Sequence, residues 1–486
     1  MTNPSSPALP LLQDFSDRLS PMVVKELRHG LRARVFTSVL TVFHVCMIVI
    51  VSACTVGADV ATVGYIFWAF SAAALLVALP LRGFGALCGE MKSGTMDMLS
   101  LTSISGMRIV LGKWVALFSQ SLLLAVSLLP YMVARYQFGG VEIAQEAAAL
   151  GLMVILSGVI TAAMVTFSSQ KSLVLRLLMA AGVLPGVIPA TVFIFLLGST
   201  TGGEILSEFR VLEGWQQGGI LACVSLGAAY VIYTLLALGA SRIAPPSENH
   251  STVKRRVHLA ILAIITVIGW CLAEHSEEAM MWALVPSWCI TFLVGVDVTT
   301  EEMPRFPGVV RDRVKRGGFS LFLGRLFYPG WSSGVMFYIL LVGMCVSIMT
   351  ARWFLFRDLD SVFPMFASLL AGVVVPACVR VNKTNPFANW WVVQIGLGVA
   401  GVLLSIVVDV TSERDFAYAG LVVPQMALLA AMSISGTEIF RLMAMSGGVW
   451  LLAAFLFSLR EGKIYRRLEE EARESLDAGG KAEGRS

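Results

Sequence analysis

Between its second and third hydrophobic segments the chain reads Arg82-Gly-Phe-Gly-Ala-Leu-Cys-Gly-Glu90-Met-Lys-Ser93-Gly94-Thr95-Met-Asp97-Met-Leu99-Ser-Leu101-Thr-Ser-Ile-Ser-Gly106-Met-Arg108-Ile-Val-Leu-Gly112-Lys113-Trp114. The chemistry these residue types suggest is recognition of a partner. Ser93 or Thr95 can accept from the free amides at the start of a short helix, and Asp97 in its first turn suits the positive end of the helix dipole. Met96, Met98, Leu99 and Leu101 then supply an apolar surface. An acidic group beside a small apolar plug is what a docking knob needs, because interfaces concentrate their energy in a few central residues. Bond-making chemistry is harder to find. The nearest approach to a phosphate-cradling loop, Gly106 to Gly112-Lys113-Trp114, has one residue too many between its glycines. It also carries Trp where Ser or Thr must reach a magnesium ion. The five histidines, His29, His44, His250, His258 and His275, have no ligand spacing, and no Ser/His/Asp set is indicated. The chain therefore reads as a non-enzyme with no cofactor or metal of its own.

The elements that must position this loop are apolar. With 57% hydrophobic and 14% charged residues and a mean hydropathy of +0.78, the chain is far more apolar than a soluble domain, where about 45–50% is usual. Charge-free runs at 37–57, 62–81, 115–134, 147–168, 177–198 and 219–240 are each long enough to cross a bilayer as a helix. Further candidates follow at 258–272, 280–296, 333–351, 361–379, 391–408, 418–436 and 443–459. Thirty of the 36 Lys and Arg residues fall in alternate connections, including the N-terminal arm, the 82–114 loop and the tail, whereas the other loops hold Arg135, Arg210, Arg352, Arg357 and Arg414. The positive-inside rule then puts both termini and the 82–114 loop on the cytoplasmic side. An odd number of spans contradicts a basic tail on that side. The segment 418–436, interrupted by Pro424, is accordingly read as re-entrant, leaving an all-α polytopic protein of about 12 transmembrane helices.

The net charge of +4, gathered on one side, implies lipid headgroups and no nucleic acid as partner. All eight cysteines lie in or beside spans without a Cys-x-x-Cys pair, and read as small buried hydrophobes. Ser20-Pro21 is a helix start. After it Val23, Val24, Leu27, Leu31 and Val35 share one side of a helical wheel, while Lys25, Glu26, Arg28, His29 and Arg32 take the other. This is a basic amphipathic helix for the membrane interface.

The elbow residues Lys25-Glu26-Leu27-Arg28, the loop residues Glu90, Gly94-Thr95 and Leu99, and the run Ile109 to Gly112-Lys113 leading into a third span resemble the membrane subunit of type-2 ABC transporters. Six spans followed by a basic linker complete the likeness, which covers roughly 18–240. The resemblance implies a permease, most often an exporter, in a bacterial-type inner membrane. It also implies ATP hydrolysis on a separate ATPase subunit that docks on the 82–114 loop through Glu90, Ser93, Gly94, Thr95, Asp97 and Leu99. Asp97 stands where the family more often has Glu. The organisation expected is a polar tail (1–17), an elbow helix (18–35) bearing Lys25, Glu26, Arg28 and Arg32, a six-span permease domain (36–240) and a basic linker (241–257). A second membrane domain (258–459) and a charged tail (460–486), read as a solvated helix with Glu469 paired to Arg473, complete it. Pro185 and Pro189 suggest a kink in the fifth span that could line a pathway. The pathway is open to completion by this chain alone, by a homodimer or with a second permease.

The rival classes are an ATP-independent carrier and a non-transporting scaffold. Coupled carriers place ionisable residues inside spans, whereas the first six segments hold only His44 and Gln120, and the later ones Gln394, Gln425 and Asp409. Ser168 and Gln217 lie on loops where substitution is expected to be silent.

Overall fold

A computed structural model describes residues 21–57, 59–92, 105–138, 142–182, 191, 207, 214–244, 249–273, 277–356, 362–379, 385–411, 423–424 and 437–483, and every regular element among them is helical. Nine helices among the described residues are long and apolar enough to cross a membrane. Shorter apolar helices, Leu173–Gly182, Ala283–Thr299 and Ala367–Cys378, fall on three more of the expected segments. Of the twelve spans expected, about nine are found as full-length candidates among the described residues. Exposed apolar side chains confirm where the spans sit: on helix Arg34–Ser52, Val42, Val45 and Val49 face outward at 58, 56 and 66% exposure. An outer surface this apolar belongs in lipid, because in water each such side chain would forgo about 1.5–3 kcal/mol of burial. The chain is a multi-pass helical membrane protein.

The chain divides into two compact units, Met1–Ile243 and Ala244–Ser486. In the first, helix Pro21–Arg32 ends at Ala33, whose extended backbone (ψ 124°) starts the spanning helix Arg34–Ser52 in a new direction. Gly57 takes a left-handed turn (φ +86°), and Asp59 caps the next helix by accepting from the Thr62 amide at 2.9 Å. That helix, Val60–Ala72, runs on through wider and tighter turns to Gly85. The third spanning helix, Gly106–Gln137, has 32 residues and is about 48 Å long. It begins before the charge-free run 115–134, as expected of a helix starting at Ser103 or Ser105 and leading through Ile109 and Leu111 into the third span; at this length its first turns extend past about 30 Å of hydrocarbon. Helix Ile143–Phe167 packs beside it, and polar side chains staple the bundle to backbone: Trp114 donates to Gly158 O at 2.9 Å, Ser157 to Leu75 O at 2.8 Å, and Thr166 to Leu235 O of helix Gly214–Ile243 at 2.6 Å. Pro185 and Pro189, the expected kink, lie outside the described residues.

The second unit opens with the hairpin Ser251–Ala273 and Glu277–Thr299. Two short helices, Gly308–Arg316 and Gly318–Phe327, precede the span Trp331–Phe356. The corner between them uses Gly317 and Gly318 at φ +60° and +52°. Helices Val362–Gly372, Val375–Cys378, Pro386–Thr411 and Thr437–Glu461 follow. Of the expected re-entrant stretch 418–436, only 423 and 424 are described.

The tail departs from the expectation of a solvated helix. Helix Lys463–Glu483 lays Tyr465, Leu468 and Ala472 into a core with Val310, Val314 and Tyr328. Glu469 is buried and pairs with Arg325 at 3.0 Å instead of Arg473. The signal is an apolar stripe at 465, 468, 472 and 476, which charged neighbours mask. Gly330, at φ +119°, sits against this helix, where an added Cβ would lie 2.6 Å from the Tyr465 hydroxyl. Burial pushes the Tyr328 hydroxyl up to about 12. The cysteines differ too: none forms a disulfide, but only Cys88 and Cys345 are buried, while Cys223, Cys271 and Cys289 are exposed.

Candidate functional site

The loop singled out by sequence begins on described ground. The 3₁₀ turn Pro80–Gly85 leads to helix Cys88–Lys92, which carries Glu90. Ser93, Gly94, Thr95, Asp97 and Leu99 lie outside the described residues, and the chain resumes at Ser105, before Gly106 starts the third span. Gly106–Trp114 is continuous α-helix, so this stretch forms no phosphate-cradling loop.

Both flanks of the loop are held. Upstream, the Leu87 amide donates to Ser168 Oγ at 3.0 Å, and Ser168 in turn donates to Val165 O at 2.6 Å. The Arg176 guanidinium donates to Phe84 O at 2.8 Å and lies over the Phe84 ring at 4.9 Å. A Cβ on Gly83 would sit 3.2 Å from Met164 Cβ, so the turn packs closely on helix Ile143–Phe167. Downstream, Lys113 Nζ reaches Glu26 Oε1 at 3.3 Å, joining the helix that leaves the loop to helix Pro21–Arg32. Of the elbow residues, Glu26 is half-buried against Lys113, while Lys25, Arg28 and Arg32 are exposed. Val23, Val24, Leu27 and Leu31 on the other side are half-buried, which fits a helix lying on an apolar support. A second clamp sits beside the first. Arg82 bonds to the Gln120 side chain and stands 5.8 Å from the centre of the Phe36 ring. Gly30 allows the approach, since any Cβ there would overlap the Gln120 amide.

Ser168 is therefore no silent loop residue. It is fully buried, and Ser168→Ala leaves the Leu87 amide without its acceptor, a loss of about 1–3 kcal/mol. Thermal unfolding in detergent should show a clear drop for Ser168→Ala and none for Thr55→Ala, whose exposed hydroxyl bonds only within its own turn.

Charges that sequence reasoning placed in loops lie instead at the buried ends of spanning helices. Arg135, in the last turn of helix Gly106–Gln137, pairs with Glu146 in the first turn of helix Ile143–Phe167, and both are buried. The Arg135 guanidinium also covers the Phe67 ring at 4.6 Å. In the second unit Lys254 reaches Asp297 at 2.8 Å and Glu301 at 2.7 Å, and Arg255 reaches Glu301 at 2.6 Å. Arg255 further donates to Ser333 Oγ and Leu326 O, both at 2.7 Å. Burial alone would raise the Glu301 carboxyl, but the adjacent Arg255 and Lys254 outweigh it and hold it below the usual carboxylate range. Of the polar span residues noted in the sequence, His44 Nδ1 meets Tyr131 Oη at 2.9 Å, Gln120 donates to Ala116 O at 3.1 Å and Gln394 to Gly372 O at 3.0 Å, while Gln425 and the Asp409 side chain lie outside the described residues. A signal for the ion pairs was present, since consecutive antiparallel helices bring the start of one and the end of the next to the same face.

Comparison with models of known protein families, with curated proteins and with solved structures returns no match.

Proposed function

We propose that this chain is the membrane-spanning subunit of a transporter, of the exporter kind, whose energy comes from a separate ATPase docking on the 82–114 loop. The observation that carries the reading is the Lys113–Glu26 pair. It ties the helix leaving the loop, seven residues beyond Gly106, to an interfacial helix that turns at Ala33 into the first span. A displacement applied at the loop would move both elements together, which a simple connector has no need to do. The resemblance in the elbow and loop residues supplies the partner's class. On this reading both termini and the loop face the cytoplasm, in an inner membrane.

The purified chain alone should neither bind nor hydrolyse ATP, and hydrolysis should appear only with a partner. Robust ATPase activity of the isolated polypeptide would sink the assignment. The buried pairs Arg135–Glu146 and Lys254–Asp297 favour a second reading, an ATP-independent carrier, because ionisable groups in membrane helices often mark ion pathways. Here each is neutralised by a partner at a helix end, as a structural pair requires. Solute uptake by proteoliposomes of the chain alone, driven by an ion gradient, would select the carrier.

A further inference from the structure

The geometry points to a binding site for the phosphate of an anionic lipid headgroup between the interfacial helix and the third span. A cavity of about 590 Å³ opens there, lined by Lys25, Glu26, His29, Arg82, Lys113 and Gln120. Three of these side chains, Lys25, Arg82 and Lys113, are basic, and the one carboxylate, Glu26, is already engaged by Lys113. Lys113 and Gln120 are buried, and Arg82 is held by Gln120 and braced on Phe36, so a positive wall is fixed in place before any ligand arrives. Gly85 and Gly89 also line it, and a Cβ at either would meet nothing within 4 Å, leaving room beside the charges.

Charge and fixed donors of this kind suit a phosphate, which Arg and Lys bind through short charge-assisted hydrogen bonds. Size and place select the source. The cavity falls within the roughly 300–1,000 Å³ of pockets that enclose whole small ligands, more than a bare phosphate needs. Lys113 lies seven residues into a helix whose first turns project beyond the hydrocarbon, about 10 Å from its start, at the depth of headgroups. Anionic lipids are attracted there by about 1 kcal/mol per Lys or Arg, roughly fivefold in affinity per charge. The site is independent of whether an ATPase docks nearby.

The test uses the full chain in nanodiscs of phosphatidylcholine with or without phosphatidylglycerol, and reads tightly retained phosphatidylglycerol by native mass spectrometry. Retention by wild type is expected to fall about fivefold in Lys25→Gln, an exposed position that leaves the fold intact, and further in Lys25→Gln with Arg82→Gln. The variant Arg311→Gln with Arg316→Gln removes as much charge from exposed positions elsewhere and should retain the lipid as wild type does. Inorganic phosphate added at millimolar concentration should not displace it. Equal retention by Lys25→Gln and wild type, equal loss in the Arg311/Arg316 control, or protection by inorganic phosphate in the absence of anionic lipid would each overturn the lipid site.

Discussion

Glu301→Gln is expected to cause a large loss of stability in the second unit, read in detergent as a marked fall in its unfolding temperature. The carboxylate accepts from Ser251 Oγ at 2.8 Å, Lys254 at 2.7 Å, Arg255 at 2.6 Å and the Gly330 amide at 2.9 Å. Gln keeps the shape but not the charge. Arg255, with 0% exposure, then loses its only ion-pair partner among the described residues, and an amide hydrogen is turned against a donor. Removing one member of a buried pair costs about 3–5 kcal/mol, a large share of the 5–15 kcal/mol that folded domains usually possess. The contrast is Glu471→Gln, which breaks a pair of similar length, 2.9 Å, to Arg467 at 82% exposure; solvent-exposed pairs contribute about 1 kcal/mol at most. Thermal unfolding and gel filtration of the two variants decide the matter, and equal effects would remove the network from the account of stability. The pH dependence follows the same charge. A carboxyl held low in the folded state stabilises fully above the unfolded value, about 4.3 for Glu, and less as pH falls through the folded value. Stability contributed by Glu301 should thus be flat between pH 6 and 8 and decline in acid.

Leu99→Asp is expected to abolish co-purification of a docked ATPase while leaving insertion and thermal stability unchanged. If 90–101 forms the contact, Leu99 supplies part of its apolar plug, and central interface residues are worth about 2 kcal/mol or more each, roughly 30-fold in affinity. A charge there adds the cost of desolvation to the lost packing. Glu90→Lys reverses the acidic group on helix Cys88–Lys92, and Gly94→Val puts a β-branched residue in place of a glycine; both should weaken the complex and uncouple hydrolysis from transport. None of the three lies in a span. Normal partner binding and normal transport by all three variants would reduce the loop to a connector.

The sequence by itself determined the class of molecule and the start of its chain. Long charge-free runs require helices in lipid, and the 3.6-residue periodicity from Val23 marks an amphipathic helix, which ends at Arg32 where Ala33 turns the chain and leaves Val35 to the next helix. What only the tertiary structure decided is which distant side chains meet. Ser168 holds the Leu87 amide 81 residues away, Lys113 holds Glu26 across 87, and Arg325 holds Glu469 across 144. No periodicity encodes such partners, since they depend on which helices adjoin and how far each turns about its axis. Span number was partly legible for the same reason. Hydropathy marks apolar stretches, but a helix continues past them wherever no residue breaks it, as Gly106–Trp114 extends the third span. The tail shows the rule most plainly: its charges signalled water, and the stripe of Tyr465, Leu468 and Ala472 stays buried because Val310, Val314 and Tyr328 are there to receive it.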